Sequence, residues 1–522
     1  MKQRRTPMKK CIYHFLQMVV LVAGLAPFFG GRVTAQSFLT LHDFSAPAGA
    51  AATNYDGTGP VAGLTLAGGT LYGTTVRGGG YGQGAIFAMQ LDGTSFTNLH
   101  SFTAFAGPGL TNADGGQPQA GLLCSGSNLY GTAAYGGWFG NGTVFLINTN
   151  GAGFATLHHF STAATELGLG LRTNYDGLYA TAGLIGSGTN FYGTAAEGGN
   201  NGDGTVFALS TNGGVLLPLH PFTQSVGNFI NSDGGLPFGG LVLAGDTLYG
   251  TTDEGGSAGL GTLYAVSTNG TGFNAFYSVK ATHTNAFGVT TNNGGYGSQC
   301  GLVASGAALY GTFEHGGNSG SGTIFSINTN SNGLNAFYNF SAYGVNGAGF
   351  YTNRDGVNPL SNLVLSGNTL YGTTANGGPD GSGTVFAINT DGTGFTTLHV
   401  FSALAGANYT NSDGAYPLGG LLLVSNVLYG TTRYGGNQGG GTVYALAFPP
   451  NLGVLASGTN VVLSWPTNYA GFDYSPFSLQ STTNLLPPTV WTNVSSVRGV
   501  FNGSFVVTNA ATSAAQFFRL GQ

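Results

Sequence analysis

Read as apolar and polar positions, most of this chain is a succession of short apolar bursts separated by breaks rich in glycine and asparagine. In the clearest stretch the bursts cover residues 362–365, 369–374, 384–389 and 395–401. Short runs rich in Leu, Val, Phe, Tyr and Thr, bounded by turn formers, predict β-strands rather than helices. We name them strands a to d. Gly367-Asn368 links a to b and Asp391-Gly392 links c to d. Such two-residue breaks suit antiparallel hairpins, because their central residues adopt positive φ.

The pattern repeats. A variant of GLxLxGxxLYGTTxxGGxxGxGTVFxxN recurs seven times, anchored by Tyr72, Tyr130, Tyr192, Tyr249, Tyr310, Tyr371 and Tyr429 at spacings of 58, 62, 57, 61, 61 and 58 residues. Four antiparallel strands per repeat predict an all-β fold, a seven-bladed β-propeller with four-stranded blades, because stacked blades bury each other's faces and leave only short edges. A β-solenoid is the competitor, but it favours shorter repeats of parallel strands without hairpin turns. The last repeat stops after strand c at residues 444–446, whereas residues 37–44, SFLTLHDF, match the strand-d segments 96–102, 154–160 and 395–401. The expected ring is therefore closed by the N-terminal strand, which completes the seventh blade. The propeller would span residues 36–448, and residues 449–522 would form a small β-sandwich-like module with Trp465 and Trp491 in its core.

The first residues add a destination. Lys2, Arg4, Arg5, Lys9 and Lys10 precede an apolar stretch over 15–29 and the small-residue pattern Val33-Thr34-Ala35. We read residues 1–35 as a Sec signal peptide cut after Ala35, which predicts a secreted or cell-surface protein without a later membrane span. Cleavage would remove six of the 13 basic residues and none of the 18 acidic ones, leaving 7 − 18 = −11. Such a balance argues against nucleic acid and anionic membranes as partners. Cys124 and Cys300 occupy different places in different repeats, so both are expected as buried free thiols. No cofactor or metal is expected.

In a four-stranded blade the d–a and b–c connections share one face of the ring, and here all the long loops are of those two kinds. Variable loops on a rigid scaffold are where ligand sites gather. One b–c position reads Arg77, Tyr135, Glu197, Glu254, His315, Asn376 and Tyr434, preceded by Val76, Ala134, Ala196, Asp253, Glu314, Ala375 and Arg433. The candidate ligand-binding residues are thus Arg77, Tyr135, Glu197, Asp253, Glu254, Glu314, His315, Arg433 and Tyr434, an acidic sector facing a basic, aromatic one. Carboxylates and tyrosines suit carbohydrate hydroxyls, cationic groups or a divalent ion. The competing reading is of loop tips that merely collect solvated charge.

Two further recurrences read as structural. Asn-x-Asp-Gly in the d–a loops, with Asp56, Asp114, Asp176, Asp233, Asp355 and Asp413 and with Asn293-Gly294 in the fifth copy, suggests an aspartate capping its own turn. Calcium ligation is the alternative, although no repeat has the dense oxygen spacing of a calcium loop. In strand d, His42, His100, His158, His220 and His399 alternate onto the face between blades, and Tyr277 and Tyr338 replace the histidine elsewhere. Tyrosine can replace a packed histidine but not a proton shuttle, which favours packing.

LYGTT followed by GG and GxGTVF at this period resembles the choice-of-anchor tandem-repeat family, also called the Gloeo/Verruco (GloVer) repeat, over residues 37–446. The resemblance implies an exported bacterial protein ending in a sorting or anchoring module, with no catalytic residues to carry over. This chain departs from members with a hydrophobic, arginine-flanked tail, since it ends in QFFRLGQ. The function expected is binding or scaffolding, as a monomer, with a polysaccharide or a cell-surface protein as partner. The alternative is a glycan-cleaving enzyme using Glu197, Asp253, Glu254 or Glu314 as acid or base.

Overall fold

A computed structural model describes residues 37–165, 171–284, 289–330, 333–406, 408–483, 485, 489–510 and 516–521. The expected signal segment and Cys11 lie outside these residues. The chain divides into two compact units, one of Phe38–Val424 with Leu428–Ala445, the other taking in Leu446–Gln522.

The first unit is all-β and propeller-like. In the first repeat, Thr65–Ala67, Thr70–Thr75, Ala85–Gln90 and Thr97–Ser101 pair in that order as an antiparallel sheet, and the next five repeats follow the same plan. One further four-stranded sheet is composite, with Ser37–Asp43 beside Thr442–Ala447, then Val427–Thr432 and Leu422–Val424. In the sixth repeat, strands b and c fall at Thr369–Thr374 and Thr384–Asn389, as the apolar pattern predicts. Strand a begins at Val364 rather than residue 362, because the residues before it leave the sheet to line a cavity.

No sheet buries its own faces. Tyr72, Ile86 and Phe102 of the first repeat pack against Leu122, Leu129 and Phe145 of the second, and the second meets the third in the same way. Strand b carries a glycine because the strand-c aromatic lies across it. A Cβ on Gly73 would sit 2.4 Å from Phe87 Cζ, and one on Gly131 2.5 Å from Phe145 Cζ. Strand c of each of these repeats shifts register before that aromatic, as between Ile86 and Phe87, a bulge that increases twist and re-aims strand d.

Polar tethers link consecutive sheets. Each strand b sends a threonine hydroxyl to a carbonyl of the following repeat: Thr74 to Ala120 at 3.1 Å, Thr132 to Ala182 at 3.0 Å, Thr312 to Pro359 at 2.9 Å and Thr373 to Pro417 at 2.8 Å. Thr431 of the last repeat sends its hydroxyl to Ala62 of the first, at 2.9 Å.

The strand-d histidines do lie between sheets. His100 stacks on Phe154 of the next repeat at 3.8 Å between ring centroids, and His42 on Phe96 at the same distance. Their aspartate partners correct the expected turn caps. Asp114 accepts hydrogen bonds from His100 Nε2 at 3.0 Å, from the Thr103 backbone N–H and from its hydroxyl, so it fastens strand d rather than its own turn. The turn is capped by the preceding asparagine: Asn112 Oδ1 accepts from the Gly115 and Gly137 N–H groups, and its Nδ2 donates to the Thr103 and Gly115 carbonyls. In the fifth repeat the cap is Asn292, acting on Gly295, and Gly294 takes the aspartate's place. That loss coincides with Tyr277 in place of the histidine, so the pair disappears as a unit.

The second unit contains a sheet ordered Gly453–Ser457, Asn460–Pro466, Ser504–Ala510, Gly499–Phe501 and another ordered Thr492–Asn493, Ser478–Thr482, Phe517–Gly521. Trp465 is buried and packs on Phe505, as expected. Trp491 is not in the core. It is half-buried, with the Arg519 guanidinium 4.5 Å from its ring centroid. Cys124 and Cys300 are free thiols, but only Cys300 is buried as expected, since Cys124 lies half-buried on a short outer strand, and among the described residues no helix is long and apolar enough to cross a membrane.

Candidate functional site

The candidate loop residues are held by backbone geometry that recurs in every repeat. After each Asn-capped turn, the d–a loop pairs with the b–c loop through one isolated bridge: Thr58 with Arg77, Gly116 with Tyr135, Leu178 with Glu197, Gly235 with Glu254, Tyr296 with His315, Val357 with Asn376 and Ala415 with Tyr434. The bridging residue is the variable position singled out in the sequence.

The next d–a residue takes a left-handed conformation. It is Gly59, Gln117, Tyr179, Leu236, Gly297, Asn358 or Tyr416, with φ between 52° and 76°. For bulky side chains this region is costly, and such residues concentrate at functional sites. The same residue joins neighbouring repeats: the Gln117 N–H donates to Gln83 O at 2.7 Å, that of Tyr416 to Ser382 O at 2.9 Å, and that of Gly59 to Gly440 O at 2.8 Å. Its carbonyl accepts from the residue before the bridge, as from the Asp253, Glu314 and Arg433 N–H groups. The candidates therefore sit on a braced backbone rather than on free loop tips.

Four of the nine candidates share one cavity. Arg77, Tyr135, Arg433 and Tyr434 line a space of about 710 Å³, together with Gln117, Gln119, Gln299, Asn376 and Tyr416. The Arg433 guanidinium lies 5.0 Å from the centroid of the Tyr434 ring, and Tyr416 meets that ring edge-on. A second cavity of about 420 Å³ shares Gln119 and Gln299 with the first. One equivalent residue of each repeat lines it: Val61, Gln119, Thr181, Phe238, Gln299, Leu360 and Leu418.

The other five candidates do not line the large cavity. Asp253, Glu254, Glu314 and His315 form a group of their own, in which Glu314 Oε1 lies 3.5 Å from His315 Nε2 and Asn358 Nδ2 donates to Glu314 Oε1 at 3.4 Å. Burial and the neighbouring Glu314 charge push Asp253 up to about 6, against the opposing pull of His315 and a hydrogen bond from Gln299. Burial and the charges of Asp253 and Asp203 push Glu254 up to about 7. Burial also raises Glu314 and lowers His315. Gln299 is the link between this acidic group and the cavity wall.

Glu197 belongs to neither, although its charge reaches Tyr135 on the wall of the large cavity. Burial raises its carboxyl while Arg172 draws it back down. Arg172 was not singled out in the sequence. It lies in a short strand pair of the d–a loop, donates to the Tyr179 hydroxyl at 2.7 Å and leaves Tyr179 tilted against Tyr135 at 4.9 Å. Tyr179, Gln117, Tyr416 and Gln299 were missed too. The available signal was a non-repeating position next to a strictly repeating motif, two residues beyond the turn glycine for Gln117, Tyr179 and Tyr416 and four beyond it for Gln299. Among the described residues no group of three or more His, Cys, Asp or Glu has the arrangement to hold a metal ion.

Fold and site together define an all-β, propeller-like repeat protein whose loops brace a polar, aromatic cavity. The chain belongs to the Gloeobacter/Verrucomicrobia repeat family, whose model matches residues 33–228, 172–352 and 348–460. No curated protein matches the chain. Among solved structures it is similar to an oligogalacturonate lyase in complex with manganese, at 9% identity and a TM-score of 0.41, covering 80% of this chain and 99% of that one. It is also similar to the β-propeller domain of the trilobed protease from Pyrococcus furiosus, at 7% identity and a TM-score of 0.39, covering 74% and 95%. A europium-containing methanol dehydrogenase overlaps at 11% identity and a TM-score of 0.42, covering 78% and 93%. Overlap at this level assigns no activity.

Proposed function

We propose that this is an exported carbohydrate-binding propeller, with seven blades in a closed ring and the N-terminal strand completing the seventh. Closure is supported by bonds that run from the last repeat to the first, Thr431 to Ala62 and Gly59 to Gly440, each equivalent to a bond between consecutive repeats. It is supported again by strand Ser37–Asp43, whose Phe38 stacks on His399 at 4.1 Å while its His42 stacks on Phe96.

The binding reading is carried by the composition of the 710 Å³ cavity. Tyrosine faces and side-chain amides are the groups that stack on sugar rings and hydrogen-bond hydroxyls, and the volume falls within the range of ordinary ligand sites. The braced left-handed residues make the wall rigid, so binding need not order a loop. A glycan and polysaccharide screen of the mature protein should find a ligand whose affinity falls about tenfold or more in Tyr434→Ala. A ligand bound equally by parent and variant would place the site elsewhere.

A second reading, glycan cleavage, is favoured by one observation: Asp253 at about 6 and Glu254 at about 7 titrate where a general acid works near neutral pH. Scoring the same screen for product, with Glu254→Gln expected to abolish release, separates cleavage from binding.

A further inference from the structure

We propose that the ligand of this cavity carries a carboxylate, so that the glycan recognised is an acidic one, of the uronic-acid class. The inference rests on the carbohydrate reading above and adds its charge.

Cations are scarce in this chain. Beyond residue 35 the lysines and arginines are Arg77, Arg172, Lys280, Arg354, Arg433, Arg498 and Arg519, against 18 acidic residues. Yet Arg77 and Arg433, from the first and last repeats, line the same cavity. Neither has a carboxylate within ion-pair distance, because every ion pair among the described residues joins a histidine to a carboxylate. Two like charges gathered in a concave site without a counter-ion repel each other and raise the local potential, an arrangement that favours an incoming anion.

The geometry suits a planar anion. The Arg433 guanidinium lies 5.0 Å from the Tyr434 ring centroid, and a guanidinium is the side chain best matched to bidentate bonding with a carboxylate. Gln117 and Asn376 add uncharged hydrogen-bonding groups to the same wall. The protein's own carboxylates Glu197, Asp253, Glu254 and Glu314 lie outside the cavity lining, and burial biases each toward the neutral form, with only the Glu197 charge reaching a lining residue, Tyr135.

The test is calorimetric titration of the mature protein with glucuronate-containing tetrasaccharides and with the same compounds as carboxyl methyl esters, which keep the skeleton and remove the charge. The free acids should bind about tenfold or more tighter than the esters, with the ratio shrinking as salt rises. In the Arg77→Gln/Arg433→Gln double variant, checked for an unchanged melting midpoint, that ratio should fall to about one. Equal binding of acid and ester by the parent would overturn the inference while leaving a carbohydrate site intact. A preference that survives in the double variant would overturn it too, as would equally tight binding of a sulfated tetrasaccharide lacking carboxylates. Failure of acids and esters alike, together with a blank glycan screen, would remove the carbohydrate reading itself.

Discussion

Single carboxyl groups in this molecule carry opposite pH signatures. Burial alone would raise Asp56, Asp114, Asp176, Asp233 and Asp413, but bonds from histidine and from the residues that follow strand d outweigh it and hold all five below the usual carboxylate value. A depressed carboxyl contributes stability above its unfolded pKa and loses it as pH falls through the folded one, so this contribution should persist down to roughly pH 4 and vanish below. Asp253 and Glu254 work in reverse. Raised in the fold to about 6 and about 7, they favour the folded state below the ordinary carboxylate range and lose that contribution as pH climbs toward neutrality. The melting midpoint should therefore peak near roughly pH 4 to 5 and decline on both sides. Asp253→Asn should flatten the decline between pH 5 and 8, raising the midpoint at pH 8 and leaving it nearly unchanged at pH 4. A midpoint lowered at pH 8 would contradict this assignment.

At the scale of strands, the packing of a strand-c aromatic over a strand-b glycine makes a specific demand. Gly73→Ala puts a methyl group 2.4 Å from Phe87 Cζ and should cost about 1–3 kcal/mol in urea unfolding. Adding Phe87→Leu should recover part of that loss, and an unaffected single variant would refute the packing. These two elements were also the most legible in the sequence, because their alternation and their turns are local. Strand a was misplaced by two residues because its first part answers to the cavity it lines, not to its own neighbours. Trp491 was misassigned for a similar reason, since Arg519 lies far from it in sequence. The Asn-x-Asp-Gly motif was found but its labour misdivided: the aspartate bonds a histidine 13 to 18 residues earlier, a partner that no turn rule can reveal. The candidate site was half legible. The variable b–c position marked the bridging residues correctly, whereas the left-handed residues facing them and Arg172 depend on pairing between loops.

At the scale of the whole repeat unit, the cores are shared by consecutive repeats, so each sheet draws stability from its neighbours. An open array would leave two apolar faces bare. The N-terminal strand bears most on this point: Phe44 is fully buried, and Phe38 lies against both His399 and Tyr444. Burying Phe38, Leu41 and Phe44 is worth several kcal/mol at roughly 1.5–3 kcal/mol per side chain. The decisive measurement is calorimetric unfolding of residues 36–522 with and without residues 37–44. A closed ring predicts that the deletion lowers the midpoint by about 10 °C or more and broadens the transition. The same midpoint and the same sharpness in both proteins would mean that this strand closes nothing.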